Sequence, residues 1–429
     1  MAVVAPRIMS TTTCLQLDEL PSKSSTFHRY IFSEAIPNAI ATTKREEQPL
    51  ASKSVEVKQS VLLLKGVREQ YTLVDNHNIP SILHPGEILV KVLAIGLNPI
   101  DWKAPAFNFG IPSLPWINGR DLAGLVLQVP DETSRLRVGD IVLVPSTDYR
   151  DIRKAAFQEY AIATDFNAAR IPSSTSIHAS ASLGVAFVAA ALALGVSFGL
   201  DFSFLPHSPG PNLVRIINQL DSKYIPSDIY DECFAASNDS ERPQRGDWIA
   251  IWGASTTTGL IALQLAKLAG LRVICVADAA RHGAKLIQSG ADLLVDRHDT
   301  ERAVEIIRGV TGGQLRYALD IVGKETAALL QKTLDPSGHS HLLGLTGLPK
   351  ERDPGIQYHT VPIKLFHTAP AVGEGLVCWL ESLLQSGTLT LPEIVRAEGG
   401  LGGINAALET LRSGSASGKR IVVDLGSQS

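Results

Sequence analysis

The chain has 429 residues, too many for one ordinary domain and enough for two domains with an extension. Apolar residues make up 45% and charged residues 19% at a formal net charge of −4, which excludes a disordered chain and gives no general electrostatic reason to expect a nucleic-acid partner. The four cysteines, Cys14, Cys233, Cys275 and Cys378, are scattered with no CxxC and no Cys/His cluster, which argues against a disulfide framework and a structural zinc site.

Residues 1–57 lack sustained periodicity and are rich in Ser, Thr, Pro and Lys, the pattern of a disordered extension. They have no basic start followed by an apolar core, and Asp18 and Glu19 come early for a transit peptide, so a cytoplasmic protein is expected. From residue 58 the texture changes. "QSVLLLKG", "YTLVD", "GEILVKVLAIGLN", "DLAGLVLQV", "VGDIVLVP" and "AFQEYAIAT" read as strands, with Asn98-Pro99 and Gly139-Asp140 as turns, and predict a small barrel-like domain over 58–190. Ala179 to Leu200 carries no charge and is long enough to span a bilayer. Its Ala, Gly and Ser content, without a basic flank or aromatic belt, predicts instead a small-residue helix packed between two domains.

Residues 201–244 are rich in Pro, Ser and Asp around one amphipathic segment, "NLVRIINQL"; connections of this length are functional or disordered. From Asp247, strands and helices alternate through "WIAIWG", "GLIALQLAKLAG", "RVICVAD", "HGAKLIQSG", "DLLVD", "RAVEIIRGVTGG", "RYALDIVG", "TAALLQKTL" and "HSHLLGLTG". This predicts a doubly wound parallel sheet over 191–364, interrupted by the 201–244 insertion. Beyond about 365, helices at 375–386 and 403–412 and the strand "KRIVVDLG" are expected to be shared between finishing that sheet and completing the β domain.

The first strand–turn–helix of the alternating part, "WIAIWGASTTTGLIALQLAKLAG", sits where a dinucleotide docks in such folds. Gly253 and Gly259 bracket Ala254-Ser255-Thr256-Thr257-Thr258: small side chains leave the backbone approachable, and hydroxyls can donate to phosphate oxygens. As an isolated Gly-x5-Gly the motif is equally a hairpin or a helix cap; its setting between strand and helix favours nucleotide binding. At the end of the next strand, Asp278 suits a ribose 2′-hydroxyl, whereas Arg281, His282 and Arg297 suit a 2′-phosphate and favour NADPH.

Together, "GLNPIDWK", "NGRDLAG", "VGDIV", "AFQEYA" and "LDIVG" resemble the medium-chain dehydrogenase/reductase superfamily over residues 59–427. "NPIDWK", "GASTTTG", "RYALD" and "SGKRIVV" resemble, within it, the fungal trans-acting enoyl reductases of polyketide biosynthesis. The resemblance implies a GroES-like β-barrel catalytic domain beside a Rossmann cofactor domain. Zinc-dependent members carry Cys at position 98, His-Glu at 120–121 and a four-cysteine lobe. This chain has Asn98, Arg120 and Asp121 and no such lobe, so no zinc is expected.

Carried onto this chain, the resemblance puts Ile100, Asp101, Trp102 and Lys103 at the nicotinamide half of the cofactor. Ser255 to Thr258 take the pyrophosphate, and Asp278, Ala279, Ala280 and Arg281 take the adenosine phosphate end. Arg297 replaces the family's usual tyrosine, and Leu345, Thr346, Gly418 and Lys419 also line the cofactor. The segment Val185-Ala186-Phe187-Val188-Ala189-Ala190-Ala191-Leu192 faces substrate but lacks the usual hydroxyls. Lys103 is the candidate proton donor, and Asp101 is either catalytic or a turn residue accepting backbone N–H groups. Trp102 reads as a cleft wall, and Arg120 with Asp121 as a mutual ion pair. The expected activity is reduction of the α,β-double bond of an acyl thioester on a polyketide synthase carrier domain, with no nucleic acid or membrane partner. The alternatives are quinone or enone reduction and a non-catalytic, cofactor-binding partner of a synthase.

Overall fold

A computed structural model describes residues 58–236 and 238–426; the expected extension at 1–57 and Cys14 lie outside the described residues. The first part of the chain carries β1 (Lys58–Leu64), β2 (Thr72–Asn78), β3 (Glu87–Gly96), β4 (Trp116–Ile117), β5 (Asp121–Gln128), β6 (Ile141–Pro145), β7 (Tyr160–Thr164) and β8 (Ala169–Arg170). β9 (Trp248–Trp252), β10 (Arg272–Ala277), β11 (Leu293–Asp296), β12 (Tyr317–Asp320), β13 (Ser340–Gly344) and β14 (Ile356–His359) follow, and the chain closes with β15 (Ile394–Ala397) and β16 (Arg420–Asp424).

β9 to β14 form one parallel sheet in the order β11-β10-β9-β12-β13-β14. The apolar runs "WIAIW" and "RVICVA" suit it, because a parallel sheet is covered by helices on both faces. Chain order reverses beside β9, so the turn after β9 opens at a topological switch point, where ligands dock in such sheets. The α/β expectation holds, with two sheets of opposite character in one chain.

The second sheet runs β15-β16-β3-β5-β6-β8, with β7 also on β3, and a smaller β2-β1-β4 sheet beside it. β16 reaches it from the far end of the sequence, pairing antiparallel with β3 through Val422–Gly96 and Val423–Ile95. Where "NPI" reads as a turn, the chain instead enters a helix, Pro99–Phe107. Proline suits a first helical position, and Asp101 accepts the Asn98 N–H at 2.7 Å, closing the start.

One hydrophobic core joins the two halves. It runs from Ala94, Ala123 and Leu143 of the barrel through the helix Gly184–Leu192 to Ile249 and Ile251 of the parallel sheet. The uncharged 179–200 stretch is therefore interior, divided between that helix and a wider turn at Ala193–Ser197, and no helix among the described residues is long and apolar enough to cross a membrane. Residues 201–236 also pack: Phe202, Leu213 and Ile217 are buried, and Trp379 donates its indole N–H to the Ser208 carbonyl at 3.0 Å. Farther along, Glu232 accepts from Thr360 N–H and lies 3.1 Å from His359, which meets His341 at 3.0 Å.

Phe202 is 0% exposed and its ring centroid lies 4.5 Å from that of Trp379. Phe202→Ala is expected to cost about 3–5 kcal/mol of unfolding free energy, read as a lower urea midpoint. A loss below about 1 kcal/mol would show that the insertion is peripheral to the core.

Candidate active site

The turn after β9 is shaped by two glycines. Gly253 has φ +87°, in the left-handed region, and a Cβ on Gly259 would lie 2.5 Å from the Gly253 carbonyl oxygen. The helix Thr257–Leu268 thus begins directly on the strand end. Thr256 is its N-cap: its hydroxyl accepts from Gly259 N–H at 3.1 Å and donates to the Gly253 carbonyl at 2.8 Å. The proton of Thr256 is therefore committed to the backbone. The hydroxyls of Ser255, Thr257 and Thr258 make no hydrogen bond among the described residues and stay available at a helix N-terminus, a natural phosphate site.

The neighbouring strand ends contribute the rest of the edge. Asp278 follows β10 and caps the helix Ala279–Gln288 by accepting Arg281 N–H at 3.1 Å. Ala280, Arg281 and Arg297 are exposed, and both guanidinium groups are without a partner among the described residues. Leu345 and Thr346 follow β13, with Leu345 N–H donating to the Asp320 carbonyl at the end of β12. Asp320 itself is buried. Its Oδ1 accepts from Val322 and Gly323 N–H at 3.0 and 2.7 Å, its Oδ2 has no partner among the described residues, and burial pushes its pKa up to about 6. A small-residue cradle, free guanidiniums and an orphaned acceptor along one edge fit a dinucleotide.

Gly418 reaches this edge from the barrel side. Its φ is +76°, a Cβ there would come 2.5 Å from the His282 ring, and Ser417 Oγ lies 3.2 Å from His282 Nε2. Lys419 points to Glu393 at 3.7 Å.

At the barrel end, Asp101 is buried and its pKa is pushed up to about 7, by burial first. Tyr71 donates to the Asp101 carbonyl at 2.6 Å and accepts from Asn118 at 2.9 Å. Ile100 and Lys103 are half-buried, and the Lys103 ammonium lies 5.8 Å from the centre of the Trp102 ring. Of the segment expected to face substrate, only Val185 is partly exposed; Ala186 to Leu192 are core residues, packed along the helix Thr257–Leu268.

Arg120 and Asp121 do not pair. Adjacent residues at a strand start point to opposite faces, so Arg120 lies over the Tyr149 ring at 3.8 Å while Asp121 turns inward. Asp121 accepts from Val185 N–H at 2.7 Å, Asn98 Nδ2 at 2.8 Å and Arg420 at 3.3 Å. Arg420 escaped the sequence reading; a strand-start arginine gives no local sign of what it meets 299 residues away. The family's metal position is thus filled by an amide and flanked by two guanidiniums. Guanidinium groups have no lone pair to give a cation, and Asp121 at the family's ligand position is already paired with Arg420, so these residues do not fit zinc. Among the described residues, one group of three possible ligands exists, Asp278, Asp296 and His298, at the adenosine edge. Its oxygens are engaged in capping Arg281 and in bonds to Ala279 and His298.

Comparison with known proteins agrees with this architecture. A family described as "Alcohol dehydrogenase GroES-like domain" matches residues 84–173, and one described as "Zinc-binding dehydrogenase" matches 257–367. A trans-enoyl reductase of Botryotinia fuckeliana is 29% identical over 381 residues, covering 82% of this chain and 96% of that protein. A trans-enoyl reductase of Gibberella fujikuroi is 27% identical, covering 83% and 96%. Among solved structures, an alcohol dehydrogenase superfamily protein of Novosphingobium aromaticivorans aligns with TM-score 0.66 at 18% identity, over 86% of this chain and 99% of that one. The CurK enoyl reductase aligns with TM-score 0.60 at 16% identity, over 85% and 99%. These two show the shared fold.

Two outcomes follow from the strand-end geometry. Thr256→Val removes an N-cap and is expected to cost about 1 kcal/mol of stability, whereas Thr257→Val leaves stability nearly unchanged and weakens dinucleotide binding in a fluorescence titration. The reverse pattern would reassign the two hydroxyls. For Asp320, whose folded pKa is raised, the ionised form carries a folding penalty that is absent below about pH 4, grows towards pH 6 and is full above it. Asp320→Asn in the cofactor-free protein is therefore expected to stabilise by on the order of 2 kcal/mol at pH 8 and far less at pH 4, read from urea unfolding. An equal effect at both pH values would mean that Asp320 is not ionised against a penalty.

Proposed function

We propose that the chain is a member of the medium-chain dehydrogenase/reductase superfamily and an NADPH-dependent, zinc-independent enoyl reductase that acts in trans on acyl thioesters of a polyketide synthase in fungal secondary metabolism. The observation that carries this reading is likeness to trans-enoyl reductases over nearly their whole length, in a chain whose metal position is occupied by Asn98, Asp121 and Arg420. Without a Lewis acid the zinc route to acidifying an alcohol is closed, whereas a conjugated thioester brings its own electron sink.

Bound NADPH supplies the hydride that reaches the β-carbon of the substrate. Gly253 to Gly259 would hold the pyrophosphate at the helix start, and Arg281 and Arg297 would take the 2′-phosphate, which planar guanidinium forks bind well. Ile100 to Lys103 line the nicotinamide half. When the C=C π electrons move to the thioester oxygen, an enolate forms, and Lys103 donates the proton that completes the α-carbon. Asp101 keeps the helix start closed and does not touch the reacting atoms. Apolar Val185 leaves the acyl chain free of hydrogen bonds at that wall. The carrier domain of the synthase presents the thioester, and orientation of the two reactants provides most of the acceleration.

Incubation of the purified protein with NADPH and a crotonyl-type thioester is expected to yield the saturated thioester by mass spectrometry, with NADH a poor substitute. Arg281→Ala and Arg297→Ala should each weaken NADPH binding about tenfold or more and leave NADH binding unchanged. Turnover of a simple quinone without thioester reduction would overturn the acyl assignment in favour of a quinone reductase, a name carried by one similar solved structure.

A further inference from the structure

Antiparallel strand direction brings four segments to one end of the barrel. β3 finishes there at Gly96 and β6 at Pro145, while β5 starts at Asp121 and β16 at Arg420. The chain leading into the helix Gly184–Leu192 is pressed against this end. A Cβ on Gly96 would run into the Ala181 carbonyl, and one on Gly184 would lie 2.8 Å from Asp121 Oδ1. No side chain fits at either position, so the contact is backbone to barrel.

Asp121 is the pin. Its Oδ1 holds Val185 N–H, and its Oδ2 holds Asn98 and Arg420, whose guanidinium also donates to Asn98 Oδ1 at 3.1 Å. The two side chains of the ion pair are 1% and 8% exposed, and burial pushes the Asp121 carboxyl up against the pull of Arg420. From this anchor the helix Gly184–Leu192 runs along the helix Thr257–Leu268, whose first turn is the phosphate cradle. One helix thus separates the charge pair from the nucleotide.

We propose that Arg420 is a positioning residue for hydride transfer: it holds the Asp121 carboxylate in place on the start of the helix Gly184–Leu192, and so sets the barrel that carries Ile100 to Lys103 against the cofactor helix. The inference rests on the oxidoreductase reading and is indifferent to the hydride acceptor. A buried carboxylate stripped of its cation protonates or draws in water, and the charge-assisted bond to Val185 weakens with it. The helix start then gains freedom at the point where the two halves meet. Both bonds leave the same Nη2 atom, so lysine would restore the charge and has donors enough, but not the reach and fixed plane of the guanidinium.

The test compares Arg420→Met, Arg420→Lys and Asp121→Asn with wild type in the full chain. Three quantities are read: hydrogen exchange over 183–187, NADPH affinity, and the isotope effect on turnover with NADPH deuterated at C4, using whichever acceptor the wild type reduces. Arg420→Met is expected to speed exchange over 183–187 about tenfold or more, to lower kcat about ten- to hundredfold with a raised isotope effect, and to change NADPH affinity little. Arg420→Lys should recover part of both. A fall in melting temperature with unchanged kcat and isotope effect would make Arg420 merely structural and overturn the proposal. Should Arg420→Met not fold, Arg420→Lys and Asp121→Asn give the same readouts. If wild type reduces neither thioester nor quinone, the functional reading fails on its own; unchanged exchange at 183–187 would then still refute the anchor.

Discussion

A carboxylate buried at the end of a β-barrel has to find donors on several sides, and in this protein Asp121 finds them on three separate stretches of chain. Asn98 comes from the end of β3, Val185 from the helix between the halves, and Arg420 from the last strand. The Arg420 contact is possible only once β16 has paired with β3, so the end of the sequence completes a site laid down by its first half. The same pairing brings Ser417 and Gly418 against His282 on the cofactor side. A single strand therefore ties the barrel together at one end, and the residues just before it touch the helix Ala279–Gln288. In a two-unit oxidoreductase the reacting atoms come from different units, and a link of this kind limits how far they can drift apart.

Charge at that end also bears on the chemistry. Two acids, Asp101 and Asp121, and two guanidiniums, Arg120 and Arg420, share one buried neighbourhood, and the aromatic face of Tyr149 borders it. Cations are thus supplied by the protein where relatives with Cys and His-Glu would supply ligands. Guanidiniums stabilise negative charge without providing a coordination site, which suits a reaction whose electron sink lies in the substrate. At the opposite edge the pattern differs: Arg281 and Arg297 stand exposed and without a partner among the described residues.

Much of the fold could be read in the sequence because its signals are local. "WIAIWG", "RVICVAD" and "RYALD" are apolar runs flanked by helices, and each became a strand of the parallel sheet. The glycine-bracketed turn was legible for the same reason. What escaped was non-local or short. β14 and β15 have four residues each and little pattern, and "NPI" looked like a turn because the capping partner, Asp101, acts only once the helix has formed. "VAFVAAAL" was assigned to substrate, yet seven of its eight residues are core, since a wholly apolar helix in the middle of a chain is most stable when surrounded. The ion pair imagined between Arg120 and Asp121 failed on strand geometry, which separates neighbours in sequence onto opposite faces. The 201–244 connection looked loose by composition, but Phe202, Leu213 and Ile217 make its described part a packed layer.

In the proposed function, hydride passes from NADPH to an activated double bond in a site that needs no metal. The most direct measurement uses protein stripped with a chelator and checked for metal by mass spectrometry, given NADPH deuterated at the transferable C4 position and an enoyl thioester. The account predicts deuterium at the β-carbon of the saturated product, formed at the rate of the untreated protein. Absence of the label from that carbon, or activity lost on chelation and restored by zinc, would contradict it.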